Sequence, residues 1–391
     1  MKKRSKNTIW FYLNKYILFI SMFLVIIGAF LILDASSISS ILRYHNSSAY
    51  FFFKRQLFMI FIGFVAMLFI HRMPSGSYKF WSLVISAFCL VCMIASLAHS
   101  KITGAISTFT ITLGPITFQP AEVIKVSTVM YMGAFYGAWV NNPKHKSVTF
   151  WIPLILCALG AGIILLGGDF GTCAIMCTLY GLVLISIPFK ERWIKILKLV
   201  VLCGIIFAIA MLKFGYLVLP DKYLESGGRL SRLNYVDACD KYEDIGYQVC
   251  NGYIAMDNGG IKGAGIGEST QKYLYLDESH TDFIFPIIVE ELGVWFGIFI
   301  ILLYIALLFL VLKIASNTSN LRNSIICYGI GIYFMLHVFI NLGGVLGIFP
   351  VTGVPLPFLS YGGTFCITMM GAFAMVQRIN IENRMHREKN S

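Results

Sequence analysis

Residues 283–312 read FIFPIIVEELGVWFGIFIILLYIALLFLVL, an apolar run in which only Glu290 and Glu291 carry charge. An α-helix needs about 20 apolar residues to cross the hydrocarbon core of a bilayer, so this run is long enough to span it. Its residues do not alternate between apolar and polar, as the strands of an outer-membrane barrel do. The run therefore predicts a membrane-spanning helix.

Similar apolar runs occur along the whole chain and predict an all-α, polytopic bundle of about ten transmembrane helices. The composition agrees, because 58% of the 391 residues are hydrophobic and 13% are charged, whereas soluble domains carry about 25% charged residues. The first run is too long for a cleavable signal peptide. The predicted spans lie near residues 17–34, 50–70, 80–98, 121–140, 150–166, 171–188, 197–219, 283–312, 323–348 and 358–377.

The basic residues predict the topology. The chain has a net charge of +12, and its basic residues lie beside apolar runs. This position favours a role in membrane topology over binding to nucleic acid. With both termini in the cytoplasm, the inner segments hold 19 of the 31 Lys and Arg residues, as the positive-inside rule requires. We predict one membrane domain over 1–391, with cytoplasmic tails at 1–16 and 378–391 and an extracytoplasmic loop at 220–282 between spans 7 and 8.

Two segments between spans need separate interpretation. The loop 220–282 holds 11 of the 19 acidic residues, and its many tyrosines argue against disorder. A loop of this length without repeats is commonly functional. Its Cys239 and Cys250 could form a disulfide in an oxidising compartment or be two free thiols. The segment 99–120, rich in Thr and Gly, is predicted to be re-entrant or to lie along the membrane surface.

Asp282 is the first candidate for chemistry. It follows His280 and Thr281 at the outer mouth of the eighth span. Partial desolvation there suits a carboxylate to act as a general base, but Asp is equally a favoured helix N-cap. Pro286 lies four residues on and has no N–H to donate to the Asp282 carbonyl, which leaves backbone polarity free at this point.

Ionisable residues inside the spans are the next candidates, because they are costly in a membrane and need partners. Glu290 and Glu291 point about 100° apart on a helix, so at most one faces the cavity of Asp282. The alternative is an interhelical hydrogen bond from a protonated carboxyl. Glu122 and Lys125 share one helix face, either as a structural ion pair or with Lys125 facing an anionic lipid headgroup.

Three further motifs have structural interpretations. Asp169 precedes the sixth span as a cap, and could also be a cavity wall. The stretch GGIKGAGIG at 259–267 lacks the ending of a P-loop, so nucleotide binding is rejected, although its N–H groups could approach a phosphate. The stretch PLPFLSYGGT at 355–364 predicts irregular backbone packed in protein or beside a wet cavity.

Together these motifs resemble the SEDS family (shape, elongation, division, sporulation), the bacterial lipid II polymerases that include FtsW, RodA and SpoVE. The likeness spans nearly the whole chain. GIGESTQKYLYL at 265–276 and the basic tail near 378–384 resemble the division branch, FtsW, whereas PVTGVPLP at 350–357 is equally similar to RodA. The ordered markers are FKRQ at 53–56, QPAEVIK at 119–125, DFGT at 169–172, GYQ at 246–248, GGIKGAGIG at 259–267, HTDFIF at 280–285, EELG at 290–293, NLG at 341–343 and LPFLSYGG at 356–363.

The resemblance implies a peptidoglycan glycosyltransferase that polymerises lipid II at the outer face of the cytoplasmic membrane, in septal wall synthesis. Asp282 is implied as the general base on the acceptor sugar, with undecaprenyl pyrophosphate as the leaving group. Lys125, Arg229 or a divalent cation (Mg²⁺ or Mn²⁺) would stabilise the diphosphate. The implied partners are a class B penicillin-binding protein and other division proteins. The implied substrate-binding residues are Glu122, Lys125, Asp169, Arg229, His280, Thr281, Glu290 and Ser360.

Three alternatives stay open at this point. A flippase for the same lipid would carry similar charges and broken helices, but no inverted repeat is detectable. An elongation polymerase of the RodA type shares the markers, and a non-catalytic scaffold would tolerate Asp282→Ala. The family's usual Arg-Trp pair before Gln119 is replaced by Ser107-Thr108-Phe109, which weakens the expected substrate contacts around 104–118.

Overall fold

The computed structural model describes most of the chain as α-helix. The described residues are 12–42, 48–103, 109–113, 116–142, 146–218, 238–241, 246–273, 275–276 and 278–390. Arg229 lies outside them. The described helices are α1 (Lys15–Leu42), α2 (Phe51–Arg72), α3 (Tyr78–Thr103), α4 (Pro120–Val140), α5 (Trp151–Leu166), α6 (Phe170–Ser186), α7 (Arg192–Val218), α8 (Tyr247–Gly259), α9 (Ile284–Leu292), α10 (Val294–Ser316), α11 (Leu321–Val345) and α12 (Gly363–Asn390).

The predicted all-α bundle of membrane-spanning helices is confirmed. Within the described residues, nine helical segments are long and apolar enough to cross a membrane, and α6 is a tenth, shorter apolar helix. The protein is therefore a multi-pass membrane protein. The predicted tail 378–391 is largely helical, because α12 continues to Asn390.

The two described ends of the chain lie at the same end of the bundle. The Asn14 amide N–H donates to Gln377 Oε1 at 2.9 Å, and Gln377 Nε2 donates to the Asn14 carbonyl at 2.8 Å. Tyr12 also donates its hydroxyl to Glu388 at 2.6 Å. An even number of spans requires this arrangement.

Two glycines bring the later part of α4 into close contact with the beginning of α11. A Cβ atom on Gly133 would lie 2.5 Å from Ile326 Cγ1, and one on Gly137 would lie 2.5 Å from Arg322 Cα. Small residues four apart allow transmembrane helices to approach in this way. The contact places the first turns of α4 beside the later turns of α11, where the candidate site is built.

The eighth predicted span is wrong as a single helix, because the chain breaks at Gly293. This glycine has φ +84°, a backbone conformation that favours glycine, and it separates α9 from α10. The glycine stretch 259–267 supplies the hydrogen bonds at the break. The Ala264 and Gly265 N–H groups donate to the Glu290 and Glu291 carbonyls at 2.8 and 3.0 Å, and the Val294 N–H donates to the Gly260 carbonyl at 2.9 Å. The sequence allowed these N–H groups to approach a phosphate. In the structure they instead donate to carbonyl groups of the protein itself.

The irregular backbone predicted for 355–364 is confirmed over residues 355–362, which are not helical. The predicted segment 99–120 contains the end of α3 and two short strands among its described residues. Residues Ile111–Leu113 (β1) pair antiparallel with Ile116–Phe118 (β2) in a short hairpin. Thr364, at the start of α12, donates its hydroxyl to the Thr117 carbonyl at 2.6 Å and accepts the Gln119 N–H at 2.9 Å. The tenth span begins at Gly363, and the non-helical residues before it, 351–362, are called here the α12 entry segment.

Candidate active site

Asp282 lies in a turn, residues 278–283, that leads into α9; we call it the Asp282 turn. The Asp282 carbonyl accepts a hydrogen bond from Asn341 Nδ2 of α11 at 2.9 Å. The same amide group donates to the Val354 carbonyl of the α12 entry segment at 2.7 Å. Asn341 therefore supplies the donor that Pro286 cannot, and it joins three parts of the chain at the candidate base.

Asp282 is 8% exposed, and its carboxylate contacts the hydroxyl of the neighbouring residue Thr281. Thr281 Oγ1 lies 2.8 Å from Asp282 Oδ1 and 2.7 Å from Glu278 Oε2. A Cβ atom on Gly353 would lie 3.9 Å from Asp282 Oδ2, so the α12 entry segment borders the second oxygen. The N-cap position of α9 is Phe283, which contradicts the interpretation of Asp282 as the cap.

His280 packs inside the protein beside Asp282. Its ring centroid lies 4.5 Å from that of Phe52 in α2 and 5.6 Å from that of Tyr361, and its carbonyl accepts the Tyr361 N–H at 2.8 Å. Burial lowers the pKa of His280 to about 4, so the ring is neutral at pH 7. The geometry gives His280 a role in holding the Asp282 turn against α2 and the α12 entry segment.

Lys125 and Glu122 form a buried polar cluster with α11. Lys125 Nζ lies 2.7 Å from Glu122 Oε1 and 3.4 Å from His337 Nε2, and Tyr333 donates its hydroxyl to Glu122 Oε2 at 3.1 Å. The Lys125 side chain is 1% exposed. This burial favours the structural ion pair over contact with a lipid headgroup.

One face of α11 connects that cluster with the Asp282 turn. Tyr333, His337 and Asn341 are spaced by four residues, so their side chains lie one above the other. Each step of four residues advances about 6 Å along a helix axis. The Lys125 cluster therefore lies about one helical turn further into the bundle than the hydrogen bond from Asn341 to Asp282.

Glu290 and Glu291 both bind the loop that precedes Asp282. Glu290 accepts hydrogen bonds from the Thr270 N–H at 3.1 Å and the Thr270 hydroxyl at 2.9 Å, and also from the Ser269 hydroxyl. Glu291 lies 2.7 Å from Lys272 Nζ. The expectation that each would have a partner is confirmed, and both partners come from residues 269–272.

Lys272 is the centre of a three-residue ion cluster in which Lys272 and Glu291 are buried and Asp34 is half-buried. Its ammonium group contacts Asp34 of α1 at 2.9 Å as well as Glu291 of α9. Desolvation lowers the pKa of Lys272, but hydrogen bonds to Glu291 and Asp34 outweigh that effect and the pKa is raised. The cluster therefore holds a charged lysine that fastens the loop to α1 and α9.

Two further predicted residues have local structural roles. Asp169 Oδ1 accepts the Thr172 N–H at 3.0 Å, which confirms the cap of α6. A Cβ atom on Gly171 would lie 3.8 Å from Thr352, so this helix start borders the α12 entry segment. Ser360 Oγ accepts the Leu356 N–H at 2.8 Å and stabilises the turn before α12.

A disulfide joins Cys239 to Cys250, so these two residues are not free thiols.

Sequence reasoning missed four residues of the site: Asn341, Tyr333, His337 and Glu278. Asn341 lay in the NLG marker, and the spacing of four residues from Tyr333 to Asn341 was the available signal for the α11 face.

The fold and the site define a class: a multi-pass helical membrane protein in which a buried aspartate precedes a helix that is broken at a glycine. A family model described as cell cycle protein, covering FtsW, RodA and SpoVE, matches residues 14–385. The chain belongs to this family.

Individual relatives agree with that assignment. The chain is 33% identical over 380 residues to the probable peptidoglycan glycosyltransferase FtsW of Bacillus subtilis (strain 168), covering 92% of this chain and 90% of the relative. It is 30% identical over 385 residues to stage V sporulation protein E of the same organism, covering 93% and 96%.

Solved structures share the fold. A chain from a study titled "Structural coordination of polymerization and crosslinking by a peptidoglycan synthase complex" matches with a TM-score of 0.68 and 19% identity, covering 95% of this chain and 98% of that one. The rod shape determining protein RodA of Thermus thermophilus matches with a TM-score of 0.58 and 19% identity, covering 95% and 97%.

Proposed function

We propose that this protein is a peptidoglycan glycosyltransferase that polymerises lipid II, with Asp282 as the general base. The names of the curated relatives support the activity. The observation that carries the assignment of the base is the buried Asp282 carboxylate, whose turn is held by Asn341 and whose Oδ2 borders the α12 entry segment. No other predicted site residue combines a carboxylate with a place in this turn.

The reaction follows from ordinary acid–base chemistry. Asp282 takes the proton from the acceptor sugar hydroxyl, and that oxygen attacks the anomeric carbon of a second lipid-linked disaccharide. The bond from the anomeric carbon to the diphosphate breaks, and undecaprenyl pyrophosphate leaves with the bonding electrons. The products are a lengthened glycan and a protonated Asp282.

The leaving diphosphate needs positive charge. Lys125 is buried against Glu122, and Arg229 lies outside the described residues. Arg55, at the start of α2, is a further candidate, because its guanidinium lies 4.8 Å from the Phe51 ring centroid and interacts electrostatically with the Tyr361 hydroxyl. Tyr361 in turn packs against His280 of the Asp282 turn.

We propose a divalent cation, Mg²⁺ or Mn²⁺, only as an aid to the diphosphate. Within the described residues, no group of three or more His, Cys, Asp and Glu side chains is arranged to hold a metal. Mg²⁺ usually keeps several waters and binds through substrate phosphates with few protein ligands, so the diphosphate itself would supply most of its ligands. When bound, the cation would neutralise charge on the leaving group; loss of activity with EDTA and its return with Mg²⁺ or Mn²⁺ would test this.

We further propose the cellular setting. The protein lies in the bacterial cytoplasmic membrane with both termini in the cytoplasm, acts at the division septum, and works with a class B penicillin-binding protein and other division proteins. The fold shared with a chain of a peptidoglycan synthase complex and the number of FtsW relatives support this setting. The same-end position of the described termini supports the topology.

The test is a polymerisation assay with purified protein, alone and with its transpeptidase partner. Wild type should convert lipid II into glycan strands, Asp282→Asn should not, and the exposed loop variant Glu268→Gln should match wild type. Inert proteins that nevertheless move labelled lipid across liposomes would identify a flippase. Rescue of an elongation mutant, without rescue of a division mutant, would identify a RodA-type polymerase.

A further inference from the structure

Three side chains of the Asp282 turn form one continuous chain of short contacts. Thr281 Oγ1 lies 2.7 Å from Glu278 Oε2 and 2.8 Å from Asp282 Oδ1. Both distances are those of good O–H···O hydrogen bonds. The Glu278 carbonyl is a third neighbour of the hydroxyl, at 3.2 Å, which is longer than either carboxylate contact.

The number of available hydrogens limits how these three side chains can hydrogen-bond to one another. A threonine hydroxyl has one hydrogen to donate and can accept through its lone pairs. It can therefore donate to only one of the two carboxylates, and the other carboxyl forms a hydrogen bond only when it is protonated and donates to Thr281. The geometry thus fits a state in which Glu278 and Asp282 share a single extra proton through Thr281.

The two carboxylates at the ends of this chain of contacts differ in exposure. Asp282 is buried, whereas Glu278 and Thr281 are half-buried. His280 lies between them in sequence, but its burial makes it neutral at pH 7 and its ring packs against Phe52 and Tyr361. The short route from Asp282 to a more accessible carboxylate therefore runs through Thr281.

We propose that Thr281 and Glu278 return Asp282 to its basic form after each sugar is added, an inference that rests on the proposed function. Asp282, protonated by the acceptor hydroxyl, donates its proton to Thr281 Oγ1 while Thr281 donates its own to Glu278 Oε2. One O–H bond breaks and one forms at each transfer. Asp282 is again a carboxylate, and Glu278 releases the proton to water.

Glu278 and Thr281 are positioning residues in this scheme, because they act through Asp282 and not on the sugar. Their removal should lower kcat and leave KM for lipid II nearly unchanged. General acid–base steps contribute about 10²–10⁴-fold to rates, so blocking proton release should cost roughly tenfold or more in kcat. A purely structural role would instead change the stability of the turn.

The experiment compares Glu278→Gln and Thr281→Val with two matched controls, Thr281→Ser, which keeps the hydroxyl, and Glu268→Gln, which removes an exposed carboxylate of the same loop. The complex with the transpeptidase is assayed for kcat and KM. Glu278→Ala is also assayed with added formate, which can replace the missing carboxylate. We expect kcat to fall for Glu278→Gln and Thr281→Val, to be higher in Thr281→Ser than in Thr281→Val, to be retained in Glu268→Gln, and to recover with formate in Glu278→Ala.

The outcomes separate this inference from the proposed function. If Asp282→Asn is inactive while Glu278→Gln and Thr281→Val stay within twofold of wild-type kcat, the relay is wrong and the base assignment stands. A loss of kcat in Glu278→Ala that formate does not restore also overturns the relay. Full activity of Asp282→Asn would overturn the base assignment itself.

Discussion

The side-chain amide of Asn341 donates a hydrogen bond to the main-chain carbonyl of Asp282 at 2.9 Å. Fifty-nine positions separate these residues in the sequence. The bond compensates for a donor that Pro286 removes from the first turn of α9, and the second hydrogen of the same amide binds the Val354 carbonyl. The position of the candidate base is thus set by a side chain from another helix.

Replacing Asn341 should therefore damage both stability and activity. Asn341→Ala leaves two buried carbonyls without this donor, and each such group costs about 1–3 kcal/mol. We expect a lower melting temperature in detergent and a lower polymerisation rate at saturating lipid II. Asn317→Ala, at an exposed position at the end of α10, is the control; equal behaviour of the two variants would contradict the role of Asn341.

The Lys272 cluster predicts that replacing Lys272 with an uncharged residue lowers stability strongly. Lys272→Met leaves Asp34 and Glu291 without their shared cation, and breaking a buried ion pair in this way costs about 3–5 kcal/mol. Lys262→Met, at an exposed position, should leave the melting temperature nearly unchanged. The measurement is thermal unfolding of the two variants in one detergent, and a Lys272→Met protein as stable as Lys262→Met would refute the cluster's role.

His280 predicts a pH dependence of stability. Burial lowers its pKa to about 4 in the folded protein, whereas the unfolded chain has the ordinary histidine value of 6.5, so the unfolded chain binds more protons between these values. Stability should therefore fall as the pH is lowered from 6.5 to 4, by about 3 kcal/mol in full.

The variant His280→Phe keeps a ring between Phe52 and Tyr361 but cannot titrate. Its melting temperature should decline less than that of wild type between pH 7 and pH 4.5. Parallel decline in the two proteins would show that another group is responsible.

The contact between α4 and α11 predicts a contrast between two glycines. Gly137→Ala places a Cβ atom 2.5 Å from Arg322 Cα and should force the helices apart, at a cost of about 1–3 kcal/mol. Gly204→Ala, in α7, meets no atom within 4 Å and should leave the melting temperature unchanged or raise it. A tolerated Gly137→Ala would mean that the glycine is not required for this packing.

Much of the architecture could be predicted from the sequence, because a bilayer imposes a length on every span and penalises charge within it. The ten apolar runs, the cap at Asp169 and the irregular backbone before α12 all follow from local residues. The break at Gly293 could not be predicted in this way, because it depends on the glycine stretch 259–267, which binds the carbonyls that the break exposes.

By itself, the sequence determined the helical class, the order of the spans and the place of Asp282 at the start of a span, since these depend on residues close together in the chain. Only the tertiary structure decided which groups surround Asp282. Asn341, Gly353 and the partners of Glu290 and Glu291 come from distant segments, and hydrogen bonds and ion pairs between them form only after the helices have packed.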